Sequence, residues 1–141
     1  MNILFLCKGN SARSQIAEGL AKEMLPSSFN VASAGSNPTG YIHEGAKKTM
    51  NELGIDISNQ YSKSINDLEK GFINNLDFVI TLCADEICPN LDTHKNVSRI
   101  FWPNPDPVIN NISSSHQEKV FSATRENIYK LLKSFFTEFV E

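Results

Sequence analysis

Long apolar runs are what this sequence most plainly lacks. No stretch of its 141 residues approaches the ~18–20 apolar residues of a membrane span, so a membrane-embedded chain is not expected. Cysteine is scarce as well. Cys7, Cys83 and Cys88 are the whole supply, an odd number that does not suit a framework of internal disulfides. Positive charge is not in excess: 13 Lys and Arg against 16 Asp and Glu give a net −3, which argues against nucleic acid as a partner and against an anionic membrane surface. Repeats, low-complexity tracts and Pro/Gly-rich linkers are missing too, so a single domain over residues 1–141 is expected, acting as a monomer. At this length a chain buries about two-thirds of its unfolded surface and needs no disulfide or metal staple. Residues 2–6 run apolar at once, with no basic leader and no small-residue cleavage site. No signal peptide is therefore expected, and cytosolic thiols follow.

What is present alternates. Residues 2–7 (NILFLC) suit a buried parallel strand, and residues 12–25 carry apolar side chains at helical spacing. Residues 29–34 (FNVASA) read as a second strand and residues 43–53 as a helix closed by Gly54. Residues 65–72 read as a short helix, 77–82 (DFVITL) as a third strand, 97–101 (VSRIF) as a weaker fourth, and 117–140 as a long amphipathic helix. Residues 104–115 (NPDPVINNISSS) are rich in turn formers and read as one long loop. Strand–helix alternation predicts an α/β fold, an open parallel sheet with helices on both faces. Ligands of such sheets sit beyond the carboxyl ends of the strands, which places the loops after Cys7, Leu82 and Phe101 together.

The first of those loops carries the chemistry. From position 7 it reads Cys-Lys-Gly-Asn-Ser-Ala-Arg-Ser, between a strand and a helix. Backbone N–H groups of Lys8, Gly9, Asn10, Ser11 and Ala12, backed by a helix N-terminus, would cage a tetrahedral oxyanion. Gly9 and Asn10 are the residues expected to supply left-handed backbone angles. Arg13 would grip two anion oxygens with its planar fork, and Ser14 would donate a hydrogen bond to the sulfur. An isolated cysteine ending an apolar strand is usually a core residue. With arginine at this spacing, Cys7 reads instead as a nucleophilic thiolate favoured by the positive potential of the cage.

The segment CKGNSARSQIAE, residues 7–18, resembles the phosphate-binding loop and first helix shared by low-molecular-weight tyrosine phosphatases and thioredoxin-coupled arsenate reductases. The resemblance continues through Ser33-Ala34-Gly35, Gly54-Ile55-Asp56-Ile57-Ser58, Val79-Ile80-Thr81-Leu82-Cys83, Trp102 and Asp106-Pro107, and Gln15 leans toward the reductase branch. It implies a three-layer sandwich around a four-stranded parallel sheet in the order 2-1-3-4. An Asp-Pro pair alone reads as a turn, but the resemblance makes Asp106 the general acid that protonates the leaving oxygen. It also implies Cys7 as nucleophile, Cys83 as the thiol that attacks the first adduct, and Cys88 as the thiol that resolves the pair. An external dithiol protein of the thioredoxin type would then restore the enzyme. The implied activity is reduction of arsenate to arsenite. The alternative is a tyrosine or small-substrate phosphatase working through a cysteinyl-phosphate.

Several features bear on that choice. Only four residues separate Cys83 from Cys88, fewer than in the better-known reductases. In a helix, residues so spaced would stand about 140° apart with Cα atoms roughly 8–9 Å apart. A disulfide needs about 7 Å or less, so forming Cys83–Cys88 should unwind a helical segment there, which Pro89 would leave with a weak end. Val108 and Ile109 follow Asp-Pro where the tyrosine phosphatases carry aromatics. Some reductases bind potassium beside the loop. Asn10, Glu18 and Ser33 match three of the implied positions, but the fourth, acidic in the better-known case, aligns with Lys63, whose ammonium could replace the ion. Potassium is therefore not expected to be required, and no tightly bound cofactor or metal is expected. His43, His94 and His116 lack metal-ligand spacing and are expected to cap helices or face solvent. Trp102 is expected to pack beneath the Asp106 loop, and Phe121, Phe135 and Phe136 in the core.

Overall fold

The computed structural model describes residues 1–83 and 97–139. Its elements are β1 (Asn2–Cys7), α1 (Arg13–Met24), β2 (Asn30–Gly35), α2 (Glu44–Asn51), a 3₁₀ turn (Ile65–Asp67), α3 (Lys70–Asn74), β3 (Phe78–Thr81), β4 (Ser98–Phe101) and α4 (Ser114–Phe139). Cys88, Pro89 and His94 lie outside the described residues, and so does the expected behaviour of the segment between Cys83 and Cys88.

The four strands form one parallel sheet in the order β2-β1-β3-β4, as the resemblance implied. β1 is central and buried on both faces, which is why its sequence is an unbroken apolar run. Alternation along β1 divides the core. Ile3, Phe5 and Cys7 face Ile16 and Leu20 of α1, Met50 of α2, and Phe121, Ile128, Leu132 and Phe135 of α4. Leu4 and Leu6 face a smaller cluster with Ala34, Leu76 and Val79, covered by Ile65, Leu68 and Phe72. Helices thus cover both faces, the larger layer holding α1, α2 and α4. Nine consecutive residues of α1, from Arg13 to Ala21, are buried. That helix is held so closely that a Cβ on Gly19 would come 2.7 Å from Ile57.

Two elements differ from the sequence reading. The helix expected over residues 65–72 is two pieces. Ser64 and Asp67 cap each other and close a single 3₁₀ turn, after which Leu68 is extended. Ile65, Leu68 and Phe72 reach the same sheet face without a continuous helix. α4 starts at Ser114 rather than residue 117, because the Ser113 hydroxyl accepts the His116 N–H at 3.1 Å and caps the first turn. α2 ends as expected, with Gly54 at φ +74°. Among the described residues no helix is long and apolar enough to cross a membrane.

Because β1 lies between β2 and β3, its C-terminal end is where strand order reverses. The loop leaving Cys7, the end of β3 and the loop after β4 all meet there.

Candidate active site

The loop of residues 7–13 owes its shape to the destination of its carbonyls. Lys8 O accepts the Asn37 N–H (2.9 Å), Gly9 O the Thr39 N–H (3.0 Å), and Ser11 O the His43 N–H (2.9 Å). Asn10 O accepts Gln15 Nε2 at 3.1 Å, and Ala12 O the Ile16 N–H at 2.9 Å. Each carbonyl is thus taken up from outside the loop. In a planar trans peptide the following N–H points the opposite way, so the N–H groups of residues 9–13 turn inward. The result is a concave cage of the loop backbone, zipped along one side to residues 37–43. Only Asn10 takes the left-handed conformation, at φ +48°. The expectation that Gly9 shares that role is not met. Gly9 is instead a matter of space, since a Cβ there would sit 3.3 Å from the Thr39 methyl.

Asn10 is buried and its amide is fixed in orientation. Its Oδ1 accepts the Lys63 N–H and Gln15 Nε2, both at 3.0 Å. Its Nδ2 therefore donates, to Ser14 Oγ at 2.7 Å and to Ser33 Oγ at 3.0 Å. With Ser14 Oγ already accepting, the hydroxyl proton is available to Cys7 Sγ, 2.8 Å away. The sulfur is thereby offered a hydrogen-bond donor at the floor of the loop. Arg13, also buried, donates from Nη1 to Asn104 O at 2.9 Å.

These residues open on a cavity of about 250 Å³ lined by Cys7, the cage and Arg13. Asp106 stands at its edge on the loop after β4, exposed, its Oδ1 accepting the Val108 N–H at 3.0 Å. Cys83 lies just past β3. The Leu82 N–H donates to Leu6 O at 2.8 Å, so Cys83 and Cys7 stand at the ends of adjacent strands. Both thiols are buried in one hydrophobic cluster. The structure therefore brings together Cys7, the cage, Arg13, Ser14 and Asp106, and buries Cys83 in the same hydrophobic cluster as Cys7; Cys88 lies outside the described residues. Trp102 packs between Phe5 and Phe135.

Beside the cage, Ser33 Oγ donates to Glu18 Oε1 at 2.6 Å, and Lys63 Nζ stands 3.8 Å from the same oxygen. Lys63 Nζ also donates to Tyr61 O at 3.0 Å. Burial pushes the Lys63 ammonium below its ordinary value of 10.5, with Glu18 pulling the other way.

Sequence reasoning missed the far wall of the cavity. Asn37, Thr39, Tyr41 and His43 line it, and Tyr41 is 60% exposed. His43 caps α2 through Nδ1, as expected of a capping histidine, and also stacks on Phe121. The turn formers Asn37-Pro38-Thr39-Gly40, leaving the strand beside β1, were the available signal. Asn104 was missed too. His116 is exposed in the first turn of α4.

The sequence pattern of the low molecular weight phosphotyrosine protein phosphatases matches residues 2–141. The chain belongs to that family. Within this phosphatase family its relatives include an arsenate reductase of Shouchella clausii, 43% identical over 136 residues, 94% of this chain and 93% of that protein. Among solved structures, an arsenate reductase in its oxidized state superposes with a TM-score of 0.75 at 29% identity, covering 97% of each chain. A thioredoxin-dependent arsenate reductase of Corynebacterium glutamicum gives 0.67 at 28% identity, over 96% of this chain and 62% of the other. The family has a phosphatase's name, but these relatives are named as reductases.

Proposed function

We propose that this chain is an arsenate reductase that draws electrons from a thioredoxin-like dithiol. Arsenate enters the cage and its oxygens take hydrogen bonds from the inward N–H groups and Arg13. The Cys7 thiolate attacks arsenic while Asp106 protonates a departing oxygen, which leaves as water. The Cys83 thiolate then attacks Cys7 Sγ. A sulfur–sulfur bond forms, the sulfur–arsenic bond breaks, and its electron pair stays on arsenic, which leaves as arsenite. Cys88 attacks Cys83 and releases Cys7, and the external dithiol reduces the resulting Cys83–Cys88 disulfide.

The observation that carries the reading is a second buried thiol, just past β3, in the same hydrophobic cluster as the first. Hydrolysis through a cysteinyl-phosphate needs one thiol, whereas two-electron reduction needs a second. A relay of this kind suits a reducing compartment, in keeping with the cytosolic location expected from the sequence. Bound potassium is not required in this scheme, because the Lys63 ammonium faces Glu18 where a cation would sit.

A second reading, phosphoester hydrolysis, is favoured by one observation. The cavity extends past the cage to Tyr41 and Val108, leaving room for a group attached to the oxyanion. The two readings separate on Cys83→Ser. Reduction predicts that this variant forms no arsenite with a thioredoxin system while retaining aryl phosphate cleavage. Arsenite production at the wild-type rate by Cys83→Ser would overturn the relay.

A further inference from the structure

Residues 103–107 read Pro-Asn-Pro-Asp-Pro. Proline has no N–H, so Asn104 and Asp106 supply the only main-chain donors of the stretch. Asn104 is 1% exposed, and its polar groups are all engaged. Its N–H donates to Leu82 O at 3.1 Å, and its carbonyl accepts Arg13 Nη1 at 2.9 Å. Its Nδ2 donates to Trp102 O at 2.9 Å, and its Oδ1 accepts Asn127 Nδ2 at 2.6 Å. A carbonyl cannot donate, so Trp102 fixes which end of the Asn104 amide faces which way, and Asn127 must be the donor. One residue thus ties the end of β3, the anion-binding arginine and α4 together, two positions before Asp106.

We infer that Asn127 is a positioning residue of the oxyanion site, acting through Asn104 on Arg13. Asn127 sits on the exposed side of α4 and does not line the cavity. Its effect is orientational. A guanidinium grips two oxygens well only when its plane is aligned with them, and the Asn104 carbonyl is one of the groups that sets that plane. Without the Asn127 amide, Asn104 Oδ1 is left buried with no donor. The residue must then shift to regain one, and the Arg13 acceptor moves with it. The inference rests on reading residues 7–13 as an oxyanion cage, and not on which reaction follows binding.

The test uses the reduced full chain and inorganic phosphate as the probe, titrated by calorimetry, with thermal unfolding measured alongside. Asn127→Ala should raise the phosphate Kd about three- to tenfold, the worth of one hydrogen bond. Its Tm should fall by no more than a few degrees, the unpaired Asn104 acceptor being partly offset by alanine as the better helix former. Asn127→Gln, with the same amide on a longer arm, should return the Kd to within about twofold of wild type. An unchanged Kd in Asn127→Ala overturns the inference, as does equal weakening by Ala and Gln. Failure of the wild-type chain to bind phosphate would overturn the inference and the cage together. Phosphate binding with the expected pattern but without arsenate reduction would leave the inference standing and remove only the proposed reaction.

Discussion

Asn10 Nδ2 donates to Ser14 Oγ at 2.7 Å, and this bond leaves the Ser14 proton for Cys7 Sγ at 2.8 Å. Asn10 is also the loop residue in the left-handed conformation. One side chain therefore sets both the curve of the cage and the direction of the hydrogen bond at its floor. Removing the donor should slow chemistry without emptying the site. A hydrogen bond to a charged group is worth about 1.5–3 kcal/mol, so Ser14→Ala should lower kcat for arsenate roughly 10- to 150-fold. Phosphate affinity should change far less, and steady-state kinetics beside calorimetry would show whether the two separate.

Gly35 closes β2 directly against the cage. A Cβ there would stand 2.4 Å from Lys8 O and 3.0 Å from Cys7 O, and both of those atoms are backbone. The loop would have to move. Gly35→Ala should destabilise the fold by about 1–3 kcal/mol and weaken phosphate binding at the same time. Denaturant unfolding and calorimetry on the same preparation check both halves.

Lys63 Nζ stands 3.8 Å from Glu18 Oε1, and its ammonium is proposed to take the place of a bound cation there. Wild-type activity should be equal in potassium and sodium at matched ionic strength. Lys63→Ser should lose activity and regain part of it on adding potassium. Strict potassium dependence of the wild type would contradict the assignment.

The same lysine gives a pH dependence of stability. Burial lowers its proton affinity in the folded chain below the ordinary value of 10.5. Between the folded and unfolded values the unfolded chain therefore binds more protons, so this group makes stability rise with pH just below 10.5. The stability difference between wild type and Lys63→Met should shift in favour of wild type as pH increases through that window. Urea unfolding at several alkaline pH values measures it.

Much of this arrangement was legible beforehand. The unbroken apolar run of residues 2–7 could only suit a strand covered on both faces, and the spacing of Cys7, Arg13 and Ser14 reflects a local turn. Local turns are written locally. The wall of Thr39, Tyr41 and His43 was not legible, because it depends on three backbone bonds from residues 37–43 to the cage. The turn formers from Asn37 to Gly40 mark a turn, but they do not say which carbonyls its backbone N–H groups will meet. Asn104 was hidden for a related reason: flanked by prolines it reads as a turn residue, and its partners lie 91 positions before it, in Arg13, and 23 after it, in Asn127. The break at Leu68 was missed because Ile65, Leu68 and Phe72 have helical spacing whether or not the chain between them is helical.

The relay itself is tested most directly by Cys88→Ser, assayed for arsenite in the presence of excess thioredoxin, thioredoxin reductase and NADPH. With Cys7 attacking, Cys83 displacing arsenite and Cys88 unable to resolve the pair, about one arsenite per chain should appear before turnover stops. A Cys7–Cys83 disulfide should then be recovered by mass spectrometry. Sustained cycling of Cys88→Ser at the wild-type rate would contradict the three-thiol account.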